Sequence, residues 1–348
     1  MRGASLIPTF QDNLHQLKAK LEAIIMAGQA PIIFLDLDDT LNRHFGAPIE
    51  ETSVSALRNL YEVGGLLGLD LGADIFWASE RILRETAHFF PFLFMLLATG
   101  RQSYAWSPSL QAYVQLPIQA QNKGEAIRKL AEYLNLPLEQ MLFIADFPAS
   151  GVDERQPGID DPVLSERVGV IVNVGSQHCP EGVRSVFEET LVLNPECTET
   201  HSAGIGHEAT IRYLACYTEL LKHKGYAEHM KALRSALMCA LEQKLNLSTL
   251  PSRDHQLWTF ERPLEEATSQ RPVLIRVKGN GIVHAGVERN GAWVRIYDIP
   301  LKEVSPGIWE AYVLDPQVNV FTFIWYATNR SGNPHWQRKN YFLPRPLL

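Results

Sequence analysis

The stretch FLDLDDTLNRHF, residues 34–45, decides how the chain is read. An apolar run stops abruptly at three acids, Asp36, Asp38 and Asp39, and a hydroxyl follows at Thr40. Like charges that converge repel, so carboxylates gathered at the tip of a buried strand need something to offset them. A divalent cation supplies that offset and keeps the acids ionised. An acidic cap at a strand-to-helix turn is the plainer alternative, and the twelve residues alone do not separate the two.

Working outward, short apolar runs alternate with amphipathic stretches. PIIFLDL (31–37), FLFMLLATG (92–100), MLFIAD (141–146) and VGVIVNVG (168–175) read as strands that are apolar along their length. That texture belongs to a parallel sheet covered on both faces. SVSALRNLYEVGG (53–65), DIFWASERILRETAHFF (74–90) and GEAIRKLAEYLNL (124–136) read as helices. Residues 9–27 form a lead-in helix, with Thr9 and Asp12 spaced as a capping box. Alternation of this kind predicts an α/β domain with a doubly wound parallel sheet. EATIRYLACYTELLKH and YAEHMKALRSALMCALEQKL are two further helices, and from Pro272 the pattern becomes all-β. Asn290-Gly291 between two alternating runs predicts a hairpin. The expected domains are a catalytic one over 1–225, a helical linker over 226–254, and a β-sandwich of immunoglobulin-like type over 255–348.

In an open α/β sheet, ligands bind beyond the carboxyl ends of the strands. Asp36 and Asp38 sit there, and other segments bring matching chemistry. LLATGR (96–101) ends a second strand in Thr99, a hydroxyl suited to a phosphate oxygen. NKGEAI (122–127) sets Lys123 just before a helix, where it can neutralise anionic charge. LFIAD ends a third strand in Asp146, and DDPVL (160–164) adds more acid. Magnesium suits such an all-oxygen site, because it keeps waters and takes a substrate phosphate.

The constellation resembles the haloacid dehalogenase superfamily. The family's D-x-D-x-T motif matches Asp36-Leu37-Asp38-Asp39-Thr40, its second motif matches Thr99 in ATGR, and its lysine motif matches Lys123 in NKGEAI. The ATGR form is especially like the sugar-phosphatase branch. The fourth motif departs from the pattern: Asp146 is followed by FPASGVDERQPGI before Asp160-Asp161. Asp161 is the preferred second acid, with Asp160 and Asp153 as competitors. The resemblance covers roughly residues 30–225. It implies a Rossmannoid fold and a Mg²⁺-dependent phosphomonoester hydrolase acting through an aspartyl-phosphate on Asp36. Asp38 is then the general acid and base, and Thr99, Gly100, Arg101 and Lys123 hold the phosphoryl group. Mg²⁺ is expected on Asp36, the backbone carbonyl of Asp38, Asp146 and Asp161. The acid at position 38 separates ester hydrolysis from carbon–halogen cleavage, since the dehalogenating branch lacks it. A phosphotransferase or mutase, or a binding protein disabled by the insertion, are the competing readings.

Family members choose substrates with a cap inserted after the first motif or between the second and third. Only 23 residues separate Thr99 from Lys123, so no large cap is expected and the site is expected to be open. The substrate is expected to be a sugar phosphate or related small phosphate ester. The C-terminal domain carries Trp293, Trp309, Trp325 and Trp336, with Tyr297, Tyr312, Tyr326 and Tyr341. Core packing accounts for most of these; a glycan contact is the alternative, with His335-Trp336 in a loop and Trp293 beside a turn as its candidates.

Bulk properties narrow the class. The formal charge of −7 across 348 residues argues against a general nucleic-acid or membrane-surface binder, which needs a basic footprint. No apolar run reaches the roughly 18 residues of a membrane span. Cys179, Cys197, Cys216 and Cys239 show no CxxC spacing and read as free thiols of a cytoplasmic protein. A homo-oligomer is allowed. His15, His44, His88 and His207 have no metal-ligand spacing.

Overall fold

The computed structural model describes residues 9–43, 47–78, 82, 92–146, 166–175, 184–195, 206–245, 255–264, 271–315, 317–325, 335–337 and 339–343. In chain order the described elements begin with α1 (Phe10–Met26), β1 (Ile32–Leu35), α2 (Glu51–Glu62), β2 (Leu66–Asp70), α3 (Ile75–Ala78) and β3 (Phe92–Leu97). Then come β4 (Gln102–Ser107), β5 (Ala112–Gln115), α4 (Lys123–Leu134), β6 (Met141–Ala145), β7 (Val170–Asn173), β8 (Leu191–Leu193), α5 (Gly206–His223) and α6 (Ala227–Lys244). The remaining strands are β9 (Gln256–Trp258), β10 (Val273–Val277), β11 (Gly281–Arg289), β12 (Ala292–Pro300), β13 (Lys302–Ser305), β14 (Ile308–Val313), β15 (Val320–Trp325), β16 (His335–Trp336) and β17 (Tyr341–Phe342).

Two compact units emerge, and neither is continuous in sequence. The first joins Met1–Gly72, Pro91–Ser103 and Ile118–Ala236; the second joins Ala73–Phe90, Tyr104–Pro117 and Leu237–Leu348. The division departs from the linear one expected at residues 225 and 255. The β4–β5 hairpin pairs with β12, through Tyr297 opposite Val114 and Asp298 opposite Tyr113, and so belongs with the C-terminal strands.

In the first unit the parallel strands run in the order β3-β2-β1-β6-β7-β8. The chain winds outward from β1 to β3, returns to the other side at β6, and winds outward again. This is the doubly wound sheet expected from the sequence, with strands β1, β2, β3, β6 and β7 buried throughout. Strand β2, within a segment that sequence periodicity leaves unassigned, completes the pattern. Helix α1 starts at the expected capping box, Thr9 and Asp12 each accepting from the other's backbone N–H. Its buried stripe is Phe10, Leu17, Leu21, Ile24 and Ile25, and Phe10 meets the Tyr213 ring of α5 edge-on at 5.1 Å. Arg234 of α6 donates to the Tyr61 carbonyl at 2.7 Å and lies over the Tyr61 ring at 4.2 Å.

In the second unit, one sheet holds β5, β12, β11 and β15, with β16 and β17 on β15; another has the order β13-β14-β10-β9. The two share a core that includes Trp258, Ile275, Val283, Tyr297, Phe321 and Phe323. The β11–β12 hairpin forms where expected. Asn290 and Gly291 both take positive φ, 53° and 79°, as the turn requires. The parallel β9–β10 pair departs from an all-antiparallel immunoglobulin arrangement. Core packing claims most of the described aromatics, Tyr297 fully and Trp309, Trp325 and Tyr341 in part, while Tyr312 stays 38% exposed. Trp293 stacks on His284, and a Cβ added at Gly286 would lie 2.6 Å from its ring, so one face of the indole lies against the sheet. His335 and Trp336, expected in a loop, form the short strand β16 on β15. Among the described residues no helix is long and apolar enough to cross a membrane. Cys216 and Cys239 are free thiols; Cys179, Cys197, His44, His88 and Tyr326 lie outside the described residues.

Candidate active site

The order of the first sheet reverses between β1 and β6, and in open α/β sheets ligands bind beyond the carboxyl ends of the strands at such a point. Asp36 follows β1 and Asp146 follows β6, so the two acids end neighbouring parallel strands. The Asp36 N–H extends the ladder by donating to the Ile144 carbonyl at 3.1 Å.

After Asp36 the chain turns sharply. The Leu37 carbonyl accepts from the N–H groups of Thr40, Leu41 and Asn42, and Asp39 takes a φ of 55°. Asn42, fully buried, holds this turn together. Its Nδ2 donates to Asp38 Oδ1 at 2.9 Å and to the Ala47 carbonyl at 3.0 Å, while its Oδ1 accepts from the Asp39 N–H. Thr40, also buried, accepts from the Asp146 N–H at 3.0 Å and ties the turn to the end of β6. The bridging role of Thr40 does not stand out in sequence, because its contact forms only after β1 and β6 pair; Asn42 acts within its own turn, on Asp38, Asp39 and Ala47.

Lys123 comes from a helix start. It is the first residue of α4, whose N-cap Asn122 accepts from the Glu125 N–H at 2.8 Å. Glu125 accepts from Lys129 and from the Gln121 N–H, and these two hydrogen bonds hold its carboxyl below the usual range. With its helix start fixed in this way, Lys123 reaches Asp36: Nζ stands 3.3 Å from Oδ1, at 5% exposure of the lysine. Such a charge-assisted contact suits a lysine that screens phosphoryl oxygens.

The second-motif loop is built from three successive left-handed residues, Ala98, Thr99 and Gly100, at φ 51°, 57° and 85°. Each non-glycine residue there costs roughly 1–2 kcal/mol. Strain of this kind is found where a loop has work to do. The Thr99 N–H donates to the Leu71 carbonyl at 3.1 Å, and its hydroxyl donates to the Ala98 carbonyl at 2.6 Å. Gly100 is jammed against the start of α4, since a Cβ there would lie 2.7 Å from the Ala126 Cβ and 3.1 Å from the Asn122 carbonyl. That packing anchors the Thr99 loop to the helix that carries Lys123. Arg101 is exposed and its Nε turns back to the Ala98 carbonyl at 3.2 Å.

The structure therefore sets Asp36 and Asp146 after neighbouring strands, brings Lys123 onto Asp36, holds Asp38 in the turn that follows, and fastens the Thr99–Gly100 loop to the helix end that carries Lys123. Asp153, Asp160 and Asp161 lie outside the described residues. Among the described residues no three acid, histidine or cysteine side chains are grouped so as to hold a metal by themselves. A magnesium ion needs one or two carboxylates with waters and phosphate oxygens, and the oxygen-only pair Asp36 and Asp146 fits that requirement.

Asn42→Ala is expected to remove three hydrogen bonds from a buried turn. Each is worth about 1 kcal/mol, and more where a buried partner is left unsatisfied. Thermal melting should show the loss, and turnover should fall as Asp38 loses its orienting amide. A variant that melts with the parent would mean that the turn holds without Asn42.

No protein-family model matches the chain, and no curated protein matches it. Among solved structures, it is similar to a haloacid dehalogenase subclass IIB sugar phosphatase at 11% identity, with 42% of this chain and 89% of that one covered and a TM-score of 0.30. It is also similar to the 3-deoxy-D-manno-octulosonate 8-phosphate phosphatase of Moraxella catarrhalis, solved with magnesium, phosphate and the sugar, at 14% identity, 63% and 98% coverage and a TM-score of 0.34. A Plasmodium falciparum IMP-nucleotidase follows at 11% identity, 61% and 76% coverage and a TM-score of 0.37. These are proteins that the chain is similar to.

Proposed function

We propose that the chain is a Mg²⁺-dependent phosphomonoester hydrolase of haloacid dehalogenase type, acting on a sugar phosphate or related small metabolite. The observation that carries this reading is the Lys123–Asp36 contact at the sheet's switch point. The Asp36 carboxylate meets the buried Lys123 cation beyond the end of β1, with Asp38 in the following turn and Asp146 after the neighbouring strand β6. In this reading the Asp36 carboxylate attacks phosphorus and the ester P–O bond breaks, giving an aspartyl-phosphate. Asp38 donates the proton that the leaving alkoxide takes up. It then accepts a proton from the water that attacks the aspartyl-phosphate, which releases inorganic phosphate and restores the Asp36 carboxylate. Lys123 screens the phosphoryl oxygens throughout, a positioned charge that needs no reorganisation. Mg²⁺, when bound by Asp36, Asp146 and the Asp38 carbonyl, supplies further charge neutralisation at those oxygens.

A panel of phosphate monoesters, assayed for phosphate release with and without millimolar Mg²⁺, tests the reading. Metal-dependent release from sugar phosphates above p-nitrophenyl phosphate is the expected result. Transfer of the phosphoryl group to a second sugar without phosphate release would mark a transferase or mutase. No turnover of any ester by folded protein would mark a binding protein.

A further inference from the structure

Strand β1 has a neighbour on each side. On one side β6 leads to Asp146; on the other lies β2, whose last residue is Asp70. Strand β3, which leads to Thr99, is one place further out. β1 and β2 pair in parallel as far as Leu35 opposite Leu69, so Asp36 and Asp70 come next on the two strands, with backbones about 5 Å apart. No apolar run or helical period draws attention to Asp70 in sequence. Strand pairing alone brings it beside Asp36.

The two acids also share a face of the sheet. Side chains in register on parallel strands lie on one face, and the strand returns to that face every second residue. Phe34 lies against Gly68, opposite it in register, where an added Cβ would stand 2.4 Å from the ring. Phe143 is in register with Phe34, and Lys123 Nζ is 6.0 Å from the centre of its ring. This is therefore the face on which Lys123 meets the Asp36 carboxylate at 3.3 Å. Asp70 follows Gly68 by two residues, in a strand that stays paired with β3 up to Asp70 itself, and so belongs to the same face. It is completely buried.

Carboxylates at this spacing repel, and little water is present to screen them. A divalent cation nearby is favoured by each of them. Carboxylates outside the ligand set tune a metal site in this way, and their loss lowers metal affinity roughly ten- to a hundred-fold. We infer that Asp70 is an outer carboxylate of the candidate site. It neither ligates the metal nor touches substrate; its negative charge, one strand from Asp36, strengthens Mg²⁺ binding and weakens the binding of a free phosphate anion. The inference rests on the metal-dependent reading above and adds to it a residue that acts through charge alone.

Titration calorimetry on the full chain tests this with two probes, Mg²⁺ alone and, in metal-free buffer, inorganic phosphate alone. Asp70→Asn keeps the size of the side chain and removes its charge. Glu51→Gln, at an exposed acid opening α2, is the control for one lost charge. Asp70→Asn should raise the Mg²⁺ Kd by roughly tenfold or more and lower the phosphate Kd, while Glu51→Gln leaves both near the parent. Opposite signs are the mark of a charge effect, because damage to the site's shape weakens both probes. Two unchanged constants, or two that rise together, would overturn the inference and leave Mg²⁺ binding by the parent standing. A parent that takes up no Mg²⁺ would overturn the metal-dependent reading and this inference with it. Where Asp70→Asn does not fold, Asp70→Ser, smaller and equally neutral, is read by the same two titrations.

Discussion

Asp36→Asn is expected to lower phosphate release by roughly a thousand-fold or more, because in the proposed reaction it removes the attacking atom and not merely a contact. The substitution keeps the size and planarity of the side chain, and an amide oxygen can still face Lys123, which stood 3.3 Å from the carboxylate. The ladder bond from the residue-36 N–H to the Ile144 carbonyl is untouched. Folding should survive, so lost turnover is attributable to chemistry. The measurement is phosphate release from p-nitrophenyl phosphate with Mg²⁺, beside a far-ultraviolet spectrum and a melting curve. Turnover by the variant within tenfold of the parent would remove Asp36 as nucleophile. The reading would then need another carboxylate, with Asp38 or Asp146 the residues at hand.

The second large effect is structural and lies at Gly175. A Cβ there would stand 1.8 Å from the Asp146 carbonyl oxygen and 2.8 Å from Asn173 Oδ1. The nearer atom is backbone, so no side-chain rotation relieves it. The chain after β7 must move away, or the end of β6 must move with Asp146. Val174 donates to the Ala145 carbonyl at 2.9 Å and Gly175 to Asn173 Oδ1 at 2.9 Å, which leaves little freedom for either shift. Gly175→Ala is therefore expected to cost several kcal/mol, on the order of the larger overpacking penalties. Turnover should fall with it, because Asp146 shifts. Gly28→Ala is the control: nothing lies within 4 Å of its Cβ, and the left-handed φ of 75° costs only about 1–2 kcal/mol. Side-by-side melting curves decide the matter. If Gly175→Ala melts with Gly28→Ala, the close approach at the end of β6 carries no weight.

The two predictions differ in how visible their residues are from sequence. Asp36 announces itself, because three acids after an apolar run need an explanation wherever the chain folds. Gly175 is one glycine after an apolar segment and gains its importance only when β6 and β7 lie side by side. The same contrast runs through the site. Lys123 is placed by its own helix start, and Asn122 caps that helix as its type suggests. Thr40 accepts from the Asp146 N–H, and no local spacing reveals that link.

The fold divides along the same line. Continuous apolar runs were enough to mark β1, β3, β6 and β7, and the Thr9–Asp12 box marked the start of α1, because strand burial and helix capping are short-range requirements. Strand β2 carries a glycine at its centre and follows two more, so its few apolar residues stay unassigned until neighbours β1 and β3 pair with it. The β4–β5 hairpin is harder still, since the partner that stabilises it, β12, lies about 180 residues further along the chain. What the amino-acid order determined alone was the strands β1, β3, β6 and β7, the start of α1, the hairpin at Asn290-Gly291 and the set of acids, hydroxyl and lysine that the proposed chemistry would use. What only tertiary structure decided was which of them meet: strand order sets the switch point that joins Asp36 to Asp146, and sheet pairing assigns the hairpin between Thr99 and Lys123 to the C-terminal unit. The physical reason is one of range. Propensity, capping and hydrophobic period act over a few residues, whereas strand pairing and close packing are satisfied only between segments that the chain brings together from far apart.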